Sequence, residues 1–361
     1  MELKNEKTAI SVSGVLIGII AVVLTLLGNP KNMGFCIACF LRDTAGGLHL
    51  HTAAAVEYIR PEIIGIVLGS FAISLIKGDF RPYGGSAPVT RFILGFSVMI
   101  GALVFLGCPF RLILRLAGGD ANAIIGLIGF AAGIGGGCIF LVNGFSLGRS
   151  KKESRIEGAA FPAINMLLLI FAVAAPSLFL FSEKGPGSMH APFIASLTAG
   201  LLVGILAERT RFCMVGGIRD SILIHDFTLL LGFAGVFIGA LVLNIATGSF
   251  HFGFASQPIA HSQHLWNFLG MFVVGLGSTL AGGCPLRQLV MAGEGSSDSA
   301  VTVLGMLIGA AFAHNFGLAS AAATAESAGG PSVNGKVAVL IVIAVLFFIG
   351  AINTFVKKKE N

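Results

Sequence analysis

"GCPFR" (107–111) and "GCPLR" (283–287) are two copies of one five-residue phrase, and each copy follows a long apolar run. In both copies a glycine and a cysteine precede a proline, and an arginine stands two residues after it. Proline favours the first position of a helix, where its missing N–H costs nothing. Each phrase therefore predicts that a new helix starts at the proline, with the cysteine at the N-cap beside the unpaired N–H groups.

The composition is that of a protein that crosses a membrane many times. The chain has 361 residues, of which 55% are hydrophobic and only 11% are charged. Uncharged apolar stretches of roughly 17–25 residues indicate transmembrane helices, and they recur along the whole chain. We predict an all-α polytopic membrane protein with ten spans, near residues 10–27, 62–77, 91–107, 122–147, 160–182, 191–207, 228–247, 266–282, 299–316 and 336–356.

Basic loops on one side of a membrane account for the net charge of +6. With ten spans, both lysine-bearing termini share one face with the loops at 77–91, 149–155 and 208–213. The opposite loops, at 182–190 and 321–335, are nearly free of lysine and arginine. The positive-inside pattern predicts that the N- and C-termini are cytoplasmic, and we expect the protein to lie in a bacterial inner membrane. There is no extended basic, polar segment to bind nucleic acid, so no such partner is expected.

A second pair of phrases indicates that the chain is a duplication. "FCIACFLRD" (35–43) aligns with "FCMVGGIRD" (212–220) at an offset of 177 residues, and the first pair has an offset of 176. We interpret residues 1–183 and 184–361 as two membrane repeats that form one transport domain. Each repeat holds five spans, an odd number, so the second must be inverted relative to the first, a plan that recurs in transporters.

Each phrase lies in a segment that is too apolar for a free loop and too short to cross a membrane. We predict short re-entrant helices there, because broken backbone at membrane depth is tolerated only where protein buries it or a cavity adjoins it. A thiol, free amides and the positive end of a helix together favour a small anion, and glycine permits close approach. The residues predicted to line a substrate pathway are Cys36, Cys39, Cys108, Cys213, Cys284, Arg111, Arg287, Gly107 and Gly283.

The arginines of these segments fall into two kinds. Arg111 and Arg287 have no adjacent acid, so we predict that their charge acts on an anion, as ionisable groups at membrane depth are usually functional. The Arg-Asp pairs have a second interpretation, since the two charges of a pair can neutralise each other and hold the segment in place. The residues assigned to structural and electrostatic support are Arg42, Asp43, Arg219, Asp220, Pro109 and Pro285.

The other candidate groups have ordinary explanations. Cys138 ends "GIGGGC" (133–138) and is interpreted as a packing residue; no strand precedes these glycines, so they are not a nucleotide loop. No cofactor or metal site is predicted. His314 is expected to hydrogen-bond to a neighbouring helix. The histidines of the outer loops are expected to be solvated: His49, His51, His251, His261 and His264.

Taken together, these motifs resemble the YeeE/YedE sulfur-transport family over essentially the whole chain. The segments at 32–51 and 208–221 are most similar to its YedE branch, which is associated with selenium metabolism. The resemblance implies an hourglass-shaped body whose short helices meet in the middle of the membrane. It also implies uptake of thiosulfate or a related sulfur anion, which Cys36, Cys108 and Cys284 contact in turn.

The same resemblance implies a small cytoplasmic sulfur-carrier partner similar to TusA/SirA proteins. This chain adds Cys39 and Cys213 to the family's three-cysteine pattern, so a softer, selenium-bearing anion is an alternative substrate. The predicted function is thus a non-enzymatic permease that works by facilitated flow. A membrane thiol–disulfide oxidoreductase that uses Cys36 and Cys39 is the alternative, although Gly216 replaces the second cysteine in the other repeat. A soft-metal permease ranks third because it leaves the arginines unexplained.

Overall fold

The computed structural model describes residues 2–356, and the side chains of residues 6–354. The lysine-bearing tail at 357–361, which enters the topology prediction, lies outside the described residues. Within them the chain is almost entirely helical, as predicted. The helices are α1 (Glu2–Leu26), α2 (Ile37–Gly47), α3 (Pro61–Lys77), α4 (Pro88–Phe105), α5 (Pro109–Ala117), α6 (Asn122–Val142), α7 (Arg155–Ala174), α8 (Phe193–Arg209), α9 (Met214–Leu223), α10 (Thr228–Ala246), α11 (His264–Ala281), α12 (Pro285–Gly293), α13 (Ser297–Asn315) and α14 (Val333–Ala351).

Three small elements complete the described part of the chain. A 3-10 turn spans Pro176–Leu178, and a π-helical turn, Ile352–Val356, extends α14. Strands β1 (Tyr83–Gly84) and β2 (Lys151–Lys152) pair antiparallel, with Tyr83 opposite Lys152. This ribbon joins two loops that the sequence predicts to lie on the same, cytoplasmic face.

Each of the ten predicted spans overlaps one long helix, but fewer than ten helical segments are long and apolar enough to cross a membrane. In residues 2–356, nine helical segments are long and apolar enough to cross a bilayer. The remaining helix, α3, has 17 residues; α8 is equally short but counts among the nine because it is joined to the short helix α9 in one segment, Phe193–Leu223. The predicted count of ten therefore exceeds the nine segments that meet the length requirement.

The predicted span at 160–182 is displaced along the chain. Helix α7 begins at Arg155, because Ser154 and Glu157 form a capping box in which each side chain bonds to the other residue's backbone N–H. It ends at Ala174, and Pro176 follows. The stretch "SRIE" (154–157) has the spacing of a capping box and therefore indicates that the helix starts here and not at residue 160.

The two halves of the chain contain their helices in the same order. Each half runs long, short, long, long, short, long, long, from α1 to α7 and again from α8 to α14. The main helix contacts cross between the halves: α1 packs on α10, α3 on α8, α4 on α13 and α6 on α11. This order agrees with the predicted repeats at 1–183 and 184–361; their inversion stays a prediction.

Glycines make these four crossings close. A Cβ on Gly129 of α6 would collide with the backbone oxygen of Phe268 in α11, and one on Gly275 of α11 would collide with that of Phe130. The same reciprocal arrangement occurs in the other three helix pairs. Small residues replace the hydrophobic driving force that helices lack in lipid, because they let the backbones touch.

Each half also covers a short helix of the other half with a loop. In the loop at 78–87, Arg81 and Tyr83 donate their backbone N–H groups to the carbonyls of Glu294 and Gly295, just after α12. In the loop at 247–263, His251 and Gly253 donate likewise to Gly118 and Gly119, just after α5. The offset of 176 residues relates these two pairs of carbonyls, so the two loops bind equivalent positions in the two halves.

We expect Gly129→Ala to lower the free energy of unfolding by about 1–3 kcal/mol, because the methyl group forces α6 away from α11. Gly135→Ala in the same helix is the matched control, since no atom lies within 4 Å of its Cβ position. Both variants gain the same helix propensity, so the difference in thermal unfolding temperature in detergent isolates the crossing. Equal unfolding temperatures would contradict close packing at Gly129.

Candidate functional site

The four repeated cysteines all occupy the same structural position. Each is the N-cap of a short helix and has extended backbone angles: Cys36 before α2, Cys108 before α5, Cys213 before α9 and Cys284 before α12. The prolines stand at the first helical positions of α5 and α12, as predicted. A buried thiol therefore lies at the positive end of every short helix.

The first two thiols are in contact. Sγ of Cys36 lies 4.0 Å from Sγ of Cys108, and both side chains are buried. Cys36 Sγ also accepts a hydrogen bond from the Cys39 backbone N–H at 3.4 Å. The Cys108 thiol interacts with the backbone N–H of Arg111 in its own helix and of Ala38 in α2. The N-termini of α2 and α5 therefore converge on one pair of sulfur atoms.

The second pair repeats this arrangement in the other half of the chain. The thiols of Cys213 and Cys284 hydrogen-bond to each other, and Cys213 Sγ accepts the backbone N–H of Gly216 at 3.3 Å. The Cys284 thiol interacts with the backbone N–H groups of Arg287 and Met214. Helix α5 contacts α9 and helix α2 contacts α12, so the four short helices form one cluster. That its thiols act as a continuous file stays a prediction.

Gly107 and Gly283 each make room for the arginine of the same phrase, and their predicted place on a substrate pathway stays a prediction. A Cβ at Gly107 would lie 2.9 Å from Cδ of Arg111, and one at Gly283 would lie 3.1 Å from Cγ of Arg287. The space that the missing side chain leaves thus accommodates the aliphatic stem of the arginine four residues later. This contact explains why glycine and arginine occur together in both copies of the phrase.

Arg111 is buried without a carboxylate partner among the described residues. Its Nε donates to the carbonyl of Asn32 at 3.2 Å, and Nη2 donates to Pro258 and Ile259 at 3.3 and 3.1 Å. Its Nη1 donates to the carbonyl of Leu106. The carbonyl oxygens and the Cys39 Sγ, which lies 3.9 Å from Nη1, satisfy its hydrogen bonds but do not cancel its charge. Arg111 therefore contributes a positive field; that this field acts on an anion stays a prediction.

Arg287 differs from Arg111, and here the expectation of an unpaired charge is wrong. Its Nη1 lies 2.7 Å from a carboxylate oxygen of Glu294, and its Nη2 lies 3.3 Å from the other. Glu294 directly follows α12, so two turns of helix bring an acid seven residues away next to the arginine. The sequence has no acid next to Arg287, so this pair is not evident from local spacing.

The predicted pairs Arg42–Asp43 and Arg219–Asp220 both form, each with a shortest N–O distance of 2.7 Å. The sequence did not indicate that Asp43 binds a second cation, Arg60, also at 2.7 Å. Arg60 is fully buried and stacks over the Phe40 ring. Its position before an apolar helix was a usable signal, since buried charges near membrane depth are seldom accidental.

Two further buried ionisable groups were missed. Arg115 lies one turn beyond Arg111, pairs with Asp120 at 2.6 Å, and stacks over Phe105 with 4.2 Å to the ring centroid. Glu62 in α3 accepts hydrogen bonds from Asn29 and from the Ser196 hydroxyl. Arg115 and Glu62 therefore both have a structural role, because they hold helices against their neighbours.

Three histidines lie in other surroundings than expected. His51 and His261 are buried rather than solvated, and burial lowers the pKa of His261 to about 4. His261 Nε2 lies 2.8 Å from the carbonyl oxygen of Val104. His314 packs its ring on His51, with 4.9 Å between centroids, and its Nε2 has no hydrogen-bond partner among the described residues. The expected hydrogen bond from His314 is therefore not found there. Cys138 is buried in α6, as a packing residue should be.

These features define a multi-pass, all-α membrane protein with a central cluster of short helices capped by buried thiols. Residues 209–361, which make up fewer than half of the chain, match the family described as sulphur transport. A match to the thiosulfate transporter TsuA of Escherichia coli (strain K12) is 27% identical over 124 residues. It covers 33% of this chain, which spans only about a third, 34%, of that relative's length.

The two equivalent aspartates allow a matched test of burial. Asp43→Asn leaves Arg42 and Arg60 as uncompensated buried cations, so we expect a loss of about 3–5 kcal/mol in stability. Asp220→Asn frees only Arg219, whose side chain is 28% exposed, and should cost about 1 kcal/mol or less. Thermal unfolding and the yield of monodisperse protein in detergent measure both. Equal losses would show that Arg60 does not depend on Asp43.

Proposed function

We propose that this protein is an integral membrane permease for a small sulfur-containing anion similar to thiosulfate, which passes along the paired thiols. The observation that carries the proposal is the convergence of short-helix N-termini on Cys36–Cys108 and on Cys213–Cys284. Half-helices whose N-termini point at an anionic group are the binding device of many secondary transporters. The resemblance to the sulphur transport family and to TsuA supports the same substrate class.

The local electrostatics favour an anion in the Cys36–Cys108 pair. Two helix N-termini point at these sulfur atoms, and each contributes the equivalent of about half a positive charge. Arg111 adds a charge that no carboxylate cancels among the described residues. A soft metal cation would be repelled by the same groups, so the third reading of the sequence is disfavoured.

The thiols supply weak and reversible contacts. A neutral S–H group is a weak donor and a soft, polarisable neighbour for a sulfur atom. Weak sites in series let an ion enter and leave, which conduction requires. In this proposal the helix ends and Arg111 attract the anion, and the thiols hand its sulfur from one pair to the next without forming a bond.

The remaining parts of the proposal extend the sequence predictions. The protein lies in the inner membrane with cytoplasmic termini and works as a permease rather than an enzyme. Net uptake is driven by consumption inside the cell, where a TusA/SirA-like carrier protein receives the sulfur. Selenium analogues of the anion are included in the substrate range, because Cys39 and Cys213 add soft thiols.

Cys108→Ala and Cys284→Ala should each reduce thiosulfate uptake into proteoliposomes by at least about tenfold, since either change removes one station of a series. Cys138→Ala is the matched control, because it removes a buried thiol outside the cluster and should leave uptake near the wild-type rate. Thiosulfate, selenite and a selenium analogue of thiosulfate would be compared in the same vesicles. Wild-type rates in both cluster variants would contradict a pathway through the thiols.

The oxidoreductase alternative rests on the contact between the Cys36 and Cys39 thiols. Both side chains are fully buried, so a soluble partner has no direct access to them. Cys39→Ala should therefore retain most thiosulfate uptake and form no mixed disulfide. A trappable mixed disulfide with a partner protein, together with absent uptake by folded wild-type protein, would favour the enzyme.

A further inference from the structure

A charged cavity of ≈ 420 Å³ is lined by residues that flank the second thiol pair in the sequence. Its wall includes Arg211, two residues before Cys213, and Arg287, three residues after Cys284. Glu208 and Glu294 line the same cavity, and Arg81 and Tyr83 of the loop at 78–87 close one side. We call it the arginine pocket. The positive-inside pattern assigns this face to the cytoplasm.

The charged residues of this pocket break the internal repeat. The offsets of 176 and 177 residues carry Arg287 onto Arg111, but they carry Glu294 onto Gly118 and Arg211 onto Gly34. Residue Glu208 corresponds to Lys31. Two otherwise equivalent ends of the cluster thus differ in the groups that surround their arginines. A device that distinguishes the two directions of flow has to reside in such differences.

The two equivalent arginines also differ in their access to solvent. Arg111 is covered, because the carbonyls of Pro258 and Ile259 in the loop at 247–263 bind its Nη2. Arg287 instead faces the open pocket, and its side chain is 15% exposed. Its planar fork of donors, which suits oxyanions as well as carboxylates, is occupied there by Glu294.

The acids of the pocket are poised to compete for the cations. Burial raises the pKa of Glu294, although the Arg287 cation opposes this shift. Glu208 is 7% exposed, and its Oε2 has no hydrogen-bond partner among the described residues. A buried carboxylate oxygen without a partner is costly, which indicates a second arrangement of the pocket in which Glu208 obtains a cation.

We propose that the arginine pocket is a release site, in which a small sulfur oxyanion leaving Cys213–Cys284 takes the place of Glu294 on Arg287, next to Arg211. The inference rests on the proposed function. Glu294 and Glu208 then recapture the guanidinium groups and expel the anion to the cytoplasm. No covalent bond forms or breaks. Arg287 exchanges its ionic partner Glu294 for the anion, and the Arg287–Glu294 pair re-forms when the anion departs.

The test is equilibrium binding of sodium thiosulfate to purified protein in detergent at fixed ionic strength, by calorimetry. Glu294→Gln removes the competing carboxylate, so we expect binding about tenfold tighter. Arg211→Gln removes a cation next to the bound anion, so we expect binding about tenfold weaker. Arg149→Gln makes the same change at an exposed arginine on the same predicted face and should alter the Kd by less than about twofold.

Transport separates release from a structural role. In proteoliposomes, Glu294→Gln should lower KM and kcat together, because the anion binds more tightly and leaves more slowly. A merely destabilised variant would lose active protein without tightening. If Glu294→Gln does not fold, Glu208→Gln tests the same proposal. The Glu208 carboxylate has no hydrogen bond or ion pair to lose among the described residues, so this variant should fold. It should also bind thiosulfate more tightly, by about threefold.

The outcomes distinguish this inference from the proposed function. Wild-type protein that transports thiosulfate, with Glu294→Gln and Glu208→Gln at wild-type affinity, would overturn the release site alone. Folded wild-type protein that neither binds nor transports thiosulfate would overturn both. Tighter binding and slower turnover in the glutamine variants, with an unchanged Arg149→Gln, would establish the exchange at Arg287.

Discussion

Unpaired backbone N–H groups at the start of a helix cannot remain bare at membrane depth, and the structure depends on how this constraint is met four times. At Cys36, Cys108, Cys213 and Cys284 a short helix begins inside the protein. Proline removes one donor from α5 and α12, and sulfur faces others. The glycine-lined crossings of the long helices and the two equivalent loops then exclude lipid from this broken backbone.

The buried charges divide by their partners. Arg60 and Arg115 pair with aspartates and stack on aromatic rings, so they hold the cluster together. Because Asp43 also pairs with Arg42, the group of Arg42, Asp43 and Arg60 keeps one net positive charge. Arg111 alone among the buried arginines has no carboxylate partner within the described residues, since its partners are carbonyl oxygens and the Cys39 Sγ. The net field on the thiols therefore depends on which arginine has a carboxylate, which the number of arginines in the sequence does not reveal.

Near-symmetry and its exceptions have different uses. The repeat duplicates a thiol, a helix N-terminus and an arginine stem packed on a glycine at α5 and α12. Residues that occur in one half alone, such as Glu294 and Glu208, surround the two equivalent arginines with different groups.

The sequence by itself determined the all-α membrane class and the start of α5 and α12 at Pro109 and Pro285, because apolar length and the Cys-Pro phrase are local signals. Only the tertiary structure decided how the thiols pair, that Arg60 joins Asp43, and that Glu294 occupies Arg287. These contacts join residues on different helices or two turns apart, and no local pattern encodes such distances. One wall of the pocket that Arg287 lines likewise comes from the loop at 78–87, which folds over from the other half of the chain.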